Sequence, residues 1–165
     1  MQEEISYYSV PQPNEISDRE KEDAMGAYLM MFASAAIGLP FPILNLIAAI
    51  IYYFVNKSKG RFVRFHTLQS LFSQIPLTLI NTGAVVWLIR IYVYELGFSN
   101  EFWGYIIMLG VANLTYFIFS IIGAIRARKG RFYYFWFFGT WSYQVTYKMK
   151  DQQSKPDEPI NKPPL

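Results

Sequence analysis

The sequence contains no cysteine and only one histidine, His66, and these absences remove several kinds of chemistry. Disulfide bonds, thiolate metal sites and cysteine nucleophiles are excluded, and the redox state of the compartment cannot be read from the chain. A structural or catalytic metal site needs several ligands, and no carboxylate cluster lies near His66 in the sequence to complete one. We therefore expect neither a metal ion nor any other cofactor.

Charged residues are also scarce. They make up 16% of the 165 residues, against about 25% in an average soluble domain, while hydrophobic residues make up 53% and aromatic residues 19%. So few charges cannot coat a soluble globule. The net charge of +3 is too small to indicate a nucleic-acid partner, and we expect none.

Catalytic motifs are missing as well. The sequence has no glycine-rich phosphate loop, no justifiable Ser-His-Asp arrangement and no pair of carboxylates inside an apolar stretch. The chain is therefore predicted not to be an enzyme.

What the chain does have is three uncharged stretches, 24–55, 68–89 and 102–125. Each supplies the ~20 apolar residues that a helix needs to cross ~30 Å of hydrocarbon, a length that favours membrane spans over soluble core helices. The two prolines within Gly38 to Pro42 interrupt the first stretch, because proline breaks helices. We expect an all-α membrane bundle of four helices, the first two short and broken there; a single crossing by 24–55 would leave three.

Basic residues predict the orientation, because Lys and Arg near span ends are retained in the cytoplasm. The short link 95–101 carries none, so it is expected on the opposite side, and four helices then place both termini in the cytoplasm. The two basic groups flank the other ends of the apolar stretches: Lys57, Lys59, Arg61 and Arg64, then Arg126, Arg128, Lys129 and Arg131.

The remaining segments complete a division into four regions. We expect residues 1–23 to form an acidic, flexible arm, 24–131 the transmembrane domain, 132–150 an aromatic-basic interfacial segment and 151–165 a proline-rich disordered tail. Aromatic rings beside basic residues favour an anionic lipid surface. The residues expected to contact lipid headgroups or a partner are Arg126, Arg128, Lys129, Arg131, Trp136 and Trp141.

Polar residues recur along the third apolar helix at intervals of three and four, which places them on one face. One interpretation is a set of interhelical hydrogen bonds that hold the bundle together, with Asn45, Asn113, Thr115 and Ser120 as partners. The other is a hydrated groove between helices. This polar stripe begins at His66 and Gln69 and continues through Ser70, Ser73, Gln74, Thr78 and Asn81.

The segment Phe62 to Ser70 contains Arg64, Phe65, His66 and Gln69 at a distinctive spacing. It resembles the Phe-x-Arg-Phe-His-x-x-Gln-Ala signature of a bacterial membrane-protein family of unknown function, with Ser70 in place of the usual alanine. That family is similar to the small helical subunit of the chloroplast inner-envelope protein-import (Tic) translocon.

A second element that resembles this family is Gly130 to Phe135, after which Trp136 replaces a common proline. The resemblance implies a compact four-helix domain in the bacterial inner membrane, with both termini cytoplasmic and the signature residues at the cytoplasmic entrance of the third helix.

Two functions remain open from the sequence. The first is an accessory or interaction component of a membrane assembly, whose partners are anionic lipid headgroups and other membrane proteins or a second copy of the chain. The alternative is a subunit of a conduit or transporter for a polypeptide or small solute, with the polar groove along the third helix as its path.

Overall fold

The computed structural model describes residues 7–36, 38 and 41–149. Within these ranges the chain is helical and has no β-strand. A 3-10 turn, Met30–Phe32, and a single α-helical turn, Ala33–Ala36, continue the first helix. The five longer helices are α1 (Asp18–Leu29), α2 (Pro42–Asn56), α3 (Arg61–Val93), α4 (Asn100–Arg128) and α5 (Trp136–Tyr147).

Helix α1 begins inside the region that the sequence assigned to the flexible arm. The Ser17 hydroxyl accepts a hydrogen bond from the Glu20 amide (3.3 Å), and the Glu20 carboxylate accepts one from the Ser17 amide (3.1 Å). This reciprocal capping box satisfies two backbone donors that a helix start would otherwise leave unpaired. Ile16, just before the cap, is buried, so this part of the arm packs against the bundle.

Helices α1 and α2 form a short antiparallel hairpin. The expected break at Gly38 to Pro42 lies between the turn ending at Ala36 and Pro42, which is the first residue of α2; residues 37, 39 and 40 are outside the described ranges. Proline suits this position because the first helical amide needs no partner. At the other end of the hairpin, Lys59 pairs with Asp23 at 2.9 Å, so the chain returns to the level where α1 began.

Helices α3 and α4 are the two long and apolar enough to cross a membrane, by length and composition. They contain 33 and 29 residues, which corresponds to about 50 Å and 44 Å at ~1.5 Å per residue. Only 17% of the most apolar window of each is buried inside the protein. A core helix of a soluble protein would be mostly buried, so the exposed apolar surface indicates contact with lipid.

The aromatic segment contains a fifth helix, and the expectation of four helices is therefore wrong. Residues 131–135 are not helical and run beside α3, and α5 then packs back along α3 in the other direction. The return is possible because Gly139 has no side chain: a Cβ there would lie 2.6 Å from the Tyr134 Cα and 2.7 Å from the Gln69 Oε1. Sequence periodicity carried no signal for this tertiary contact.

Both described chain ends lie at one end of the bundle. Tyr7 bridges to Lys148, and the Tyr8 amide donates to the Tyr147 carbonyl oxygen at 2.9 Å. The α2–α3 connection is close by, since Arg61 at the start of α3 lies 3.6 Å from the centre of the Tyr8 ring, and so is the end of α4, where Arg128 pairs with Glu22 at 3.1 Å. We call this the basic end; the opposite, far end consists of the 94–99 link between α3 and α4.

This arrangement can be tested with single cysteines, because the chain has none of its own. We expect a membrane-impermeant maleimide to label Gly97→Cys in cells stripped of their outer membrane, and Ser58→Cys only after the inner membrane is permeabilised. The reason is that basic residues are retained in the cytoplasm. Labelling of both positions from the same side would contradict the arrangement.

Candidate functional site

Aromatic side chains at the start of α3 form the floor of the candidate site. The Phe65 ring packs against Phe132 and Tyr134, with centroid distances of 4.9 and 5.4 Å, and the Phe62 ring lies 5.2 Å from Phe132. Phe62 and Phe65 are both buried. The signature thus packs directly against the second family-like element, residues 130–135.

Above this floor, His66 and Gln69 share the hydroxyl of Tyr28 on α1. The Tyr28 Oη lies 2.7 Å from the His66 Nδ1, and the Gln69 Nε2 donates to the Tyr28 Oη at 2.8 Å. Because the hydroxyl already accepts from Gln69, its own proton is available for Nδ1, which puts the imidazole proton on Nε2. His66 is fully buried, so its role is to position Tyr28 rather than to meet a solvent-borne ligand.

Gln69 uses its whole side-chain amide to join three segments. Besides its bond to Tyr28, its Nε2 donates to the Tyr133 carbonyl oxygen at 2.8 Å, and its Oε1 accepts from the Phe135 amide at 3.1 Å. The residues before α5 are not helical, so these backbone groups have no helical partners, and Gln69 supplies them. One side chain of α3 therefore holds both α1 and the segment leading into α5.

Small residues allow these elements to approach closely. The Ser70 hydroxyl donates to the Ala27 carbonyl oxygen at 2.7 Å, which ties α3 to the backbone of α1. On α4, a Cβ at Gly123 would lie 2.9 Å from the Tyr28 ring. The Ser70 hydroxyl provides this hydrogen bond while adding little volume to the contact.

The upper part of the polar stripe lines a polar pocket of about 200 Å³ between α2, α3 and α4. Asn81 and Asn113 exchange two hydrogen bonds of 3.2 Å across it. The Gln74 Oε1 and the Tyr116 Oη are buried without a hydrogen-bond partner among the described residues. A polar cavity of this size can hold several water molecules. Its polar lining consists of Asn45, Gln74, Thr78, Asn81, Asn113 and Tyr116.

The remaining stripe residue, Ser73, is buried, and its hydroxyl donates to the Ser70 carbonyl oxygen at 2.9 Å. It also borders a second cavity, of about 390 Å³ and mainly apolar, between α3, α4 and the start of α5. Trp136 lies at the edge of this cavity and is 72% exposed. The cavity is thus lined on one side by the segment that the sequence placed at the lipid interface.

The structure places the four expected cations near the end of α4, at the basic end, whereas Trp136 lies deeper in the bundle, beside the cavity that Ile80 and Ala112 also line. Trp141 is exposed on α5, and Arg126, Lys129 and Arg131 are exposed near the end of α4. Arg128 instead pairs with Glu22, so its charge is partly neutralised by an ion pair within the protein.

Arg64 differs from these exposed cations because it is half-buried at the base of α3. Its Nε has no hydrogen-bond partner among the described residues. These described residues also contain no group of three or more His, Cys, Asp or Glu that could hold a metal ion.

Sequence reasoning missed Tyr28, Tyr133 and Gly139 as parts of the site. A tyrosine hydroxyl within the apolar first stretch and a lone glycine within an aromatic run were the available signals. Neither signal identifies the residue that Tyr28 or Gly139 contacts, because these contacts join residues far apart in the chain.

The fold and the site define a small helical membrane protein with two candidate transmembrane helices and an internal hydrogen-bond network at one end. The chain belongs to the magnetosome magnetite crystal formation protein family, MamF/MmsF, whose model matches residues 20–142. A bacterial membrane-protein family was therefore correctly anticipated, whereas the similarity to a translocon subunit stays a prediction. Comparison with curated proteins and with solved structures gives no match.

Removing the Gln69 amide should weaken the fold. Gln69→Ala leaves the Phe135 amide and the Tyr133 carbonyl unpaired, at a cost of about 1–3 kcal/mol for each buried group. We expect a lower unfolding temperature for the purified variant in detergent, whereas Gln144→Ala, at an exposed position on α5, should unfold like the wild type. An equal fall in unfolding temperature in both variants would show that the hydrogen bonds of the Gln69 amide do not stabilise the fold.

The close approach at Gly139 gives a second test. Gly139→Ala forces α5 away from Tyr134 and Gln69 and should reduce the yield of folded protein and its thermal stability, typically by about 1–3 kcal/mol for an overpacked site. Gly104→Ala is the matched control, because a Cβ there meets nothing within 4 Å. Normal stability of Gly139→Ala would contradict the packing of α5 described here.

Proposed function

We propose that this chain is a non-enzymatic, multi-pass membrane protein that acts as an accessory component of the assembly in which magnetite crystals form. The family match supports the link to magnetite formation. One observation carries the accessory role: the polar side chains of His66 and Gln69 point inward and hold the protein together. His66 and Gln69 are fully buried and hydrogen-bonded to Tyr28. What remains available to other molecules is the surface of the bundle.

That surface has two parts of different chemistry. The outward face of α2 is apolar, with Ile51 and Phe54 each 58% exposed, and suits lipid or another membrane helix. The basic end carries exposed cations, and exposed rings such as Trp141 lie on the adjoining helix α5. Such a combination binds anionic lipid or an acidic protein surface. We place the protein in a bacterial inner membrane or a membrane derived from it, with the basic end in the cytoplasm.

The accessory role predicts a discrete partner. We expect crosslinking in native membranes, followed by purification of the tagged chain, to recover a defined second protein. Double substitution of Trp136→Ala and Trp141→Ala should reduce its recovery several-fold, because both rings are exposed on α5 and available to a partner. Tyr92→Ala, which removes an equally exposed ring near the far end, is the control. Recovery of monomer alone would contradict the proposal.

A conduit is the second candidate, favoured by the polar pocket and by the Gln74 Oε1 and Tyr116 Oη, which have no hydrogen-bond partner among the described residues. The resemblance to a translocon subunit supports the same reading. In this role the pocket would be one segment of a hydrated path along α3, and polar side chains would lower the cost of moving a polar solute through hydrocarbon.

Access of water to the polar face of α3 distinguishes the conduit from the accessory component. A conduit predicts that a small water-soluble thiol reagent reacts with cysteines placed at Ser70, Gln74 and Thr78 on α3. Ser58→Cys at the basic end is the reactive control, and Leu79→Cys, 68% exposed on the apolar surface, is the protected one. Protection of all three test positions would rule out an aqueous path and leave the accessory role.

A further inference from the structure

The elements of the bundle are distributed unequally along its length. The described part of the α1–α2 hairpin reaches the level of Asn81, where Met31 and Pro42 border the polar pocket. Beyond Asn81, the aromatic contacts of α3 are with α4: Trp87 lies 5.7 Å from Phe102 and 5.6 Å from Tyr105. We call the part of the bundle up to Asn81 the basic half and the part beyond it the far half.

Beyond Asn81, α3 continues for 12 of its 33 residues, or about 18 Å at ~1.5 Å per residue, which is more than half of the ~30 Å hydrocarbon core. Helix α2 has 15 residues and α5 has 12, which corresponds to about 22 Å and 18 Å at ~1.5 Å per residue. Neither spans the ~30 Å of a hydrocarbon core. Helices α3 and α4 do, so among the described residues the far half consists of these two helices, whereas α1, α2 and α5 surround the same pair in the basic half.

Burial follows the same division. On α3, the basic half is densely buried from Phe62 to Gln74, whereas Ala84 and Ile91 are the buried residues described beyond Asn81. The α3–α4 hairpin is apolar and exposed in the far half, on both helices. Its exposed large side chains include Val86, Leu88, Ile89, Tyr92, Val93, Trp103, Ile107 and Val111.

The difference in width between the two halves affects the surrounding bilayer. A protein that is wider at one end displaces more area in the leaflet around that end, and the membrane relaxes by bending so that this leaflet becomes convex. The short hairpin adds to the effect, because lipids beside it must thin or tilt to cover its apolar surface. Basic residues at the wide end anchor it at the headgroups of an anionic leaflet.

We propose that this chain is a molecular wedge that prefers, and at high density promotes, membranes whose convex leaflet lies at its basic end. The occupant of the exposed apolar surface is lipid. The proposal rests on the membrane location in the proposed function but needs no protein partner, so the absence of a crosslinked partner would leave it standing.

The test uses the full-length protein in phosphatidylcholine vesicles that contain phosphatidylglycerol and span a range of diameters. A fluorescent label at Ser58→Cys reports the number of molecules per membrane area, and protection of that label from an impermeant quencher reports orientation. We expect molecules with the basic end outward to be several-fold denser in the smallest vesicles than in the largest. Molecules with the basic end inward should be depleted from the smallest vesicles, which provides an internal control.

A second comparison changes the lipid and not the protein. In bilayers with shorter acyl chains the hairpin and α5 cover more of the membrane thickness, so the preference for small vesicles should weaken; longer chains should strengthen it. Helical content measured by circular dichroism confirms that the protein remains folded in each lipid.

Two results would overturn the wedge. One is a density independent of vesicle diameter in both orientations, with the protein inserted and folded. The other is efficient disulfide formation by Tyr92→Cys in every vesicle size, because a second copy packed on the far half would remove the difference in width.

Discussion

The Gln69 side chain holds the arrangement of the basic half. Its amide donates to the Tyr28 hydroxyl and the Tyr133 carbonyl and accepts from the Phe135 amide. An unpaired backbone group in a nonpolar environment costs several kcal/mol, so non-helical chain can enter hydrocarbon only where protein groups satisfy it. Without this amide, the Tyr133 carbonyl and the Phe135 amide would be unpaired, and aromatic packing alone would hold the segment before α5 against α3.

The same constraint explains why the signature residues face inward. Phe65 packs against Phe132 and Tyr134, His66 accepts from Tyr28, and Ser70 bonds the backbone of α1. The network gathers short elements around one half of a long helical pair and leaves the other half thin. The wide, basic half and the apolar surface are therefore the parts of the molecule that can act on lipid or on other proteins.

Several features could be predicted from the sequence because they depend on local patterns. Helix-length apolar runs predicted α3 and α4, and Pro40 and Pro42 predicted the break before α2. The fifth helix was not predictable in this way, since aromatic residues favour both an interface and a packed helix. Its position depends on Gly139 meeting Gln69, two residues far apart in the chain.

For the polar stripe, the spacing of the polar residues predicted a shared helix face, whereas the pairing of Asn81 with Asn113 became visible only in the structure. The function of the stripe stays a prediction.

The most direct measurement of the central claim is hydrogen exchange at the Phe135 amide in a lipid nanodisc. The account predicts slow exchange for residues 132–136 in the wild type, and much faster exchange there in Gln69→Ala, with the middle of α4 unchanged. Fast exchange in the wild type, or protection that survives the loss of the amide, would contradict the claim that Gln69 holds this segment against α3.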